Sequence, residues 1–423
     1  MAYPLKDLLT WDDATEKRIS EGIEKNRKGN FTLHTTPGGS VTVRLKKHKF
    51  RFGCNLFMLD EIPDDPKKNE LYKEKLADLF NMATLPFYWN STEPKEGHTR
   101  YAIGAERLYR RPPIDLCMQF CEEHGIEPRE HALCYEQTFP DWLRGLPTEE
   151  VKRHLEKRMQ EISSRYASRI RTIEVTNEMQ WPKGQTAWYE DPDYMVDCYK
   201  MAEKYFHDSQ LVINEWVSVW EGMGTPWDFY HALIREILGK GGRIDAIGMQ
   251  YHIFYRAEEY FAKTRKHYDL PHLFRILDSY ARFGKPLQIT EITIPAFTED
   301  PADEESQADV IEKLYSLWFS HPNVEQIIYW NLADGYAAFT TPGNMTEGEN
   351  YYRGGLLRFD MSEKPAYRRL RHLIREVWTT NETKVADASG AVCFNGFFGE
   401  YEVTVGGRTM TVTFDKCGEE FTV

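Results

Sequence analysis

Apolar and polar positions fall into three rhythms along the chain. Residues 1–30 are mostly polar, with apolar positions spread at helical intervals. From Phe31 the chain reads FTLHTTPGGSVTVRLKKHKFRFG, setting β-branched and aromatic residues around a Pro-Gly-Gly turn, which predicts strands over 31–49. The tail beyond about Ala386 alternates in the same way around Gly406-Gly407, so 383–423 is predicted as further strands. Two β-rich ends bracketing a different middle predict a small accessory β unit assembled from the N- and C-terminal segments.

The middle, residues 50–377, is more regular. Short apolar runs begin near Phe50, Leu79, Glu127, Ile170, Ser209, Arg243, Lys285 and Val324, and each ends in polar or aromatic residues. Between them apolar residues recur at helical spacing, as with Val151, Leu155, Met159 and Ile162, or over Phe229–Leu238. Eight strand–helix units of this kind predict an α/β fold, a closed (β/α)8 TIM barrel with helices outside. A doubly wound open sheet would carry a glycine-rich phosphate turn. The only such stretch, Gly239–Gly242, lacks the spacing and reads as a helix stop.

Composition narrows the partners. Of 423 residues, 28% are charged and 41% apolar, which is a folded composition, and the formal net charge is −13. An acidic surface repels phosphate backbones and anionic lipid, so neither nucleic acid nor a membrane is the expected partner; a neutral ligand fits better. Oligomeric state is left open. The seven cysteines form no CxxC pair and are expected as buried free thiols. No run approaches the ~18 apolar residues of a membrane span, and the first residues lack the apolar core of a signal peptide. A cytoplasmic location is therefore expected, although a secreted chain with its leader trimmed would read the same.

In such a barrel the chemistry sits at the C-terminal ends of the strands. Those ends carry His131 and Tyr135, Asn177 and Glu178, Asn214 and Glu215, Gln250 and His252, Glu291, and Trp330, Asn331 and Asp334. Acids, amides, histidines and aromatics with few cations suit a neutral polyol better than a phosphoryl group. Two carboxylates on different strands, Glu178 and Glu291, point to glycoside hydrolysis, in which one protonates the leaving oxygen while the other attacks the anomeric carbon. No cofactor is implied. No His-x-His ligand pair is present, so no metal is expected either.

Several segments resemble the strand-end motifs of glycoside hydrolase family 10, the retaining endo-β-1,4-xylanases: IEVTNE (Ile173–Glu178), IDAIGMQYH (Ile244–His252), ITEITIP (Ile289–Pro295) and IIYWNLAD (Ile327–Asp334). FNMATLPFYWNSTEP (Phe80–Pro94), HALCYEQTFPDW (His131–Trp142) and GLLRFDMSEKPAY (Gly355–Tyr367) resemble its second, third and closing segments. The resemblance implies that Glu178 is the acid/base and Glu291 the nucleophile. It implies that Asn177 holds the 2-hydroxyl of the −1 sugar and His252 hydrogen-bonds the nucleophile. Gln250 would join the same polar cluster, His131 would line the −1 site, and Trp330 would lie under the sugar.

The chain departs from that pattern around the −2 sugar. Where the family carries Glu-Asn and then Lys, this chain has Thr84, Leu85 and Tyr88. The usual Trp-His and Gln become Tyr135, Glu136 and Thr138, and Tyr-Ser-Trp becomes Tyr336-Ala337-Ala338. Removing groups that bind hydroxyls weakens discrimination for an ordinary xylose unit. Tyr88, Tyr135 and Glu136 are candidate replacement contacts, and Trp181 and Trp188 candidate platforms for the leaving group. The expected activity is cleavage of internal β-1,4-xylosidic bonds in xylan or xylo-oligosaccharides. The alternatives are the same chemistry on another or decorated β-glycan, and a carbohydrate-binding barrel of weak turnover.

Overall fold

The computed structural model describes residues 3–180 and 184–423. After a helix at Asp13–Arg27 come β1 (Lys28–His34) and β2 (Ser40–His48). Eight strands then alternate with helices: β3 (Arg51–Asn55), β4 (Met82–Pro86), β5 (Glu127–His131), β6 (Thr172–Asn177), β7 (Gln210–Glu215), β8 (Ala246–His252), β9 (Leu287–Thr293) and β10 (Val324–Tyr329). The chain finishes with β11 (Asn381–Val385), β12 (Ala391–Phe397), β13 (Gly399–Val405), β14 (Arg408–Phe414) and β15 (Glu419–Thr422).

Strands β3–β10 pair in parallel in sequence order, and β10 returns to β3, with Gln326 opposite Arg51 and Tyr329 opposite Cys54. This is the predicted (β/α)8 barrel, with a strand at each of the eight apolar runs. Every residue of β6, β8 and β9 is buried, because helices cover the outside and side chains fill the inside. The helix at Thr148–Tyr166 buries Val151, Leu155, Met159 and Ile162, the stripe expected from their spacing. At the N-terminal end of the barrel the interior is closed by amides and ion pairs. Gln288 Nε2 donates to Gln210 Oε1 (3.0 Å) and Glu325 Oε1 (2.8 Å), and Arg51 joins Glu325 to Glu127.

The two chain ends meet in two sheets, ordered β12-β1-β15 and β11-β2-β13-β14, packed around a core of their own. That core takes up Phe31, Val43, Phe394, Tyr401 and Phe414, so the tail's aromatics, Phe397 included, are packed inward. The unit sits at the base of the barrel, where Phe397, His48 and Phe319 pack against Phe50, Phe52 and Trp378. Phe31 has ring contacts with Phe394, Tyr401 and Phe414 at 5.6, 5.3 and 4.4 Å. Phe31→Ala is expected to cost about 3–5 kcal/mol, read as a lower denaturant midpoint. An unchanged midpoint would show that this core does not contribute to the measured unfolding.

Two expectations need correction. Five cysteines are buried, but Cys393 and Cys417 are exposed: alternation along β12 turns Cys393 outward, and Cys417 lies in the turn between β14 and β15. Trp188 has no exposed surface and packs against Tyr194, so it offers no platform to a ligand. Trp181 lies outside the described residues. No helix among the described residues is long and apolar enough to cross a membrane.

Candidate active site

The C-terminal mouth of the barrel holds a cleft of about 600 Å³. Eight of the nine expected site residues line it: Tyr88, Tyr135, Asn177, Glu178, Gln250, His252, Glu291 and Trp330. Each comes from a strand's last residues or the loop just after it, so the barrel brings together groups from six strands. Arg110, Arg111, Trp216, Tyr255 and Phe339 complete much of the wall.

The ninth, His131, ends β5 with no exposed surface. Its Nε2 lies 2.9 Å from the Tyr88 hydroxyl and its Nδ1 2.9 Å from Glu174 Oε1. The expectation that it lines the sugar site is therefore corrected: it stands behind Tyr88, whose bulky ring occupies the front position. Glu136 is also turned inward. Its carboxylate accepts from Thr186 Oγ1 (2.6 Å) and from the Gln185 and Thr186 amides, fixing a loop instead of facing the cleft.

A run of amides links the two candidate catalytic carboxylates. Gln250 Nε2 donates to Glu178 Oε1 (2.9 Å) and to Asn177 Oδ1 (3.1 Å). Asn214 Nδ2 then donates to Asn177 Oδ1 (3.0 Å) and to Glu291 Oε1 (3.0 Å). The other oxygen of Glu178 accepts from the Tyr135 hydroxyl at 2.7 Å. Each carboxyl is thus held by an amide from a barrel strand, Gln250 of β8 or Asn214 of β7, and Tyr135 adds a donor to Glu178 from the loop after β5.

The proton on Glu291 is set by its surroundings. Burial pushes this carboxyl up to about 8, with Glu174 and Glu178 adding to the rise and His131 opposing it. His252 explains where the proton sits. Thr293 Oγ1 donates its single hydrogen to the Trp330 carbonyl (2.6 Å), so the His252 Nδ1 2.9 Å away must be the donor to that hydroxyl. Neutral His252 therefore presents a bare Nε2 to Glu291 Oε2 at 3.1 Å, and the pair shares one proton. Burial keeps His252 below the ordinary histidine range, which favours leaving that proton on Glu291.

Beneath this layer lies a buried charge group absent from the expected site. Arg129 pairs with Glu174 inside the barrel. Burial works against the Glu174 charge, but Arg129 and His131 outweigh it and hold the carboxyl below its ordinary range. Burial likewise works against His131, yet Glu174 and Glu291 raise it overall. His131, Glu174 and Glu291 place ligand-type atoms within 4.8 Å of one another. Both His131 nitrogens are already hydrogen-bonded and Arg129 supplies the positive charge, so the donor set does not suit a metal ion. The signal for this group was present in the sequence, since Arg129 and Glu174 are charged residues within predicted barrel strands, β5 and β6. Asn214 was visible at a strand end, but nothing in its spacing distinguished it as the link between carboxylates.

The sequence pattern of the Glycosyl hydrolase family 10 matches residues 57–372. Among curated proteins, the anti-sigma-I factor RsgI6 of Acetivibrio thermocellus is 24% identical over 94% of this chain and 47% of its own length. Endo-1,4-beta-xylanase B of Thermotoga neapolitana is 24% identical over 77% of this chain and 88% of its own. The chain thus spans about half the length of the first relative, and only 31% of endo-1,4-beta-xylanase 2 of Arabidopsis thaliana. Among solved structures, xylanase 10B of Thermotoga petrophila in complex with xylobiose aligns with a TM-score of 0.62 at 21% identity, over 78% of this chain and 95% of that one. The fold is shared with that structure, and the pattern match extends across the barrel and every strand end described above except that of β3. On that match, the chain belongs to glycosyl hydrolase family 10.

Proposed function

We propose that the protein is a retaining glycoside hydrolase that cleaves a β-1,4-linked, xylose-containing glycan by double displacement. The observation that carries this reading is the amide run joining Glu178 to Glu291 across one cleft. In the first step Glu291 Oε attacks the anomeric carbon, forming a glycosyl ester as the C1–O bond breaks. Glu178 gives its proton to the departing oxygen. In the second step Glu178 takes a proton from water, whose oxygen attacks C1 and releases Glu291. Asn177 is placed beside both carboxylates, where a side-chain amide can hold the 2-hydroxyl of the reacting sugar. His252 receives or returns the shared proton as Glu291 changes charge.

Attack requires ionised Glu291, so a carboxyl pushed up to about 8 moves the acid limb of activity upward. The kcat/KM profile on a soluble chromogenic β-glycoside is expected to climb with pH through the neutral range and level off above about 8. Thr293→Val removes the acceptor at His252 Nδ1 and lets the imidazole place its hydrogen on Nε2, toward Glu291. That variant's limb is expected at lower pH. A wild-type limb at pH 4–5 would contradict the shared-proton arrangement.

The reading is tested by incubating wild type and Glu291→Ala with xylan, plain and decorated xylo-oligosaccharides and other β-glycans, and following product anomers by NMR. Xylose-containing fragments released first as the β-anomer, by wild type alone, are the expected result. The loss of a polar group at Leu85 and of an aromatic platform at Ala338 favours one second reading, the same chemistry on a decorated or different β-glycan. Products from only those substrates would select it. Binding without products would instead mark a carbohydrate-binding barrel.

A further inference from the structure

Two arginines in the cleft wall are not used by the chemistry above. Arg110 and Arg111 lie in the loop between β4 and the helix at Ile114–His124. Beyond them a second hollow, of about 460 Å³, shares Asn90, Arg110, Arg111, Ala338 and Phe339 with the main cleft. The arginines therefore stand at the junction of two connected spaces, on the side of the cleft built by the loops after β4 and β10.

Neither guanidinium has a carboxylate partner among the described residues. Arg110 is 2% exposed. It donates through Nη1 to the Tyr336 carbonyl and through Nη2 to Asn331 Oδ1 (2.9 Å), while its buried Nε has no partner. Arg111 is half-buried, lies 4.3 Å over the Tyr88 ring, and makes one hydrogen bond, from Nη1 to the Arg110 carbonyl at 2.8 Å. The nearby acids are committed elsewhere. Glu61 pairs with Arg107 at 3.2 Å. Glu347, the acid lining the second hollow, accepts from the Thr341 amide (2.7 Å) and Asn344 Nδ2 (2.6 Å). Burial also pulls Arg111 down to about 10, as expected for a cation lacking a counter-charge.

A desolvated guanidinium without an anion is costly, and its planar fork matches a carboxylate with two parallel hydrogen bonds. Around it the wall is apolar or aromatic, with Phe57, Tyr88 and Phe339, which suits the faces of a sugar ring. We propose that the Arg110–Arg111 junction binds the carboxylate of a uronic acid unit, making the protein selective for acidic β-glycans. The inference rests on the proposed glycan-cleaving reading of the cleft and specifies its substrate class. The uronate can enter from a side branch reaching into the second hollow or as a unit of the main chain. On a chain of net charge −13, long-range attraction of an acidic glycan is absent, so a local cationic pair is what recognition requires.

The test compares a glucuronate-branched xylo-oligosaccharide, and separately an oligo-β-glucuronate, with the same compounds after reduction of the carboxyl to the neutral hexose. Binding is measured by calorimetry on the folded Glu178→Gln protein, which needs no turnover, and cleavage on wild type. The acidic form is expected to bind at least ~10-fold tighter than its reduced counterpart, with the preference shrinking as salt rises. Preference for the branched compound assigns a side branch; preference for the oligo-glucuronate assigns the main chain. Adding Arg111→Gln is expected to erase most of the preference, and Arg111→Lys, which keeps the charge without the fork, to restore part of it. Equal binding of acidic and reduced forms overturns the inference whether or not the arginine variants fold. Acid-selective binding without cleavage upholds it and fails the hydrolase reading, whereas cleavage of neutral substrates with no acid preference does the reverse.

Discussion

Glu291→Ala is expected to lower kcat on every β-glycan that the wild type cleaves by at least about 10⁴-fold, while the protein stays folded. The carboxylates nearest to it have other partners: Glu178 is held by Tyr135 and Gln250, and Glu174 is paired below with Arg129. Azide supplied to this variant with an activated aryl β-glycoside should occupy the vacated face and give the α-glycosyl azide by a single inversion. The same position carries a stability effect of opposite sign. The folded carboxyl is raised from 4.5 to about 8, so its contribution to stability is present at low pH and lost as pH rises through about 8. Glu291→Gln, which keeps an acceptor for Asn214 but cannot ionise, should therefore melt higher than wild type at pH 9, with the difference shrinking toward pH 5. A variant as active as wild type would remove Glu291 from the nucleophile's role, and a Tm difference that grows as pH falls would overturn the raised carboxyl.

Glu178→Ala should fail differently. Loss of a positioned acid/base costs about 10²–10⁴-fold on a natural glycan, whose leaving oxygen needs a proton. With a good leaving group such as dinitrophenolate the first step needs no acid, so the ester should accumulate as a burst and turnover should stall at hydrolysis. Azide should restore turnover by attacking from the side opposite Glu291 and yield the β-glycosyl azide. The two variants thus give azides of opposite configuration if the roles are as proposed. Two identical azides would require the roles to be redrawn.

The barrel was legible because its strands are covered on both faces. Continuous apolar runs such as those ending at Asn177 and His252 have few other solutions, and the helix stripe Val151–Ile162 fixes what lies outside them. The cleft residues were legible because chemistry in such barrels gathers at strand ends, and eight of the nine named do line one space. His131 was misjudged because its exposure depends on a residue 43 positions earlier, Tyr88, whose hydroxyl covers the ring. Glu136 and Trp188 were misjudged for a related reason. A polar or aromatic residue in a loop reads as accessible, and only the folded loop reveals that Glu136 binds backbone amides and Trp188 is sealed. The protonation of Glu291 was not legible at all, since it follows from a hydrogen-bond direction fixed by Thr293 and a backbone carbonyl.

The accessory sheets also set a timetable for folding. β1 lies between β12 and β15, and β2 between β11 and β13, so each N-terminal strand is flanked entirely by strands from the chain's far end. Asn30 and Asn395, whose side chains bond at 2.9 Å, are 365 residues apart. At a ribosomal rate of about 5–20 residues per second, β1 and β2 wait roughly 20–70 s for their first partners. Throughout that interval both edges of both strands are open templates for pairing with other chains. Premature termination before β11 would leave them in that state permanently, so such truncated chains should aggregate even where the barrel itself is complete.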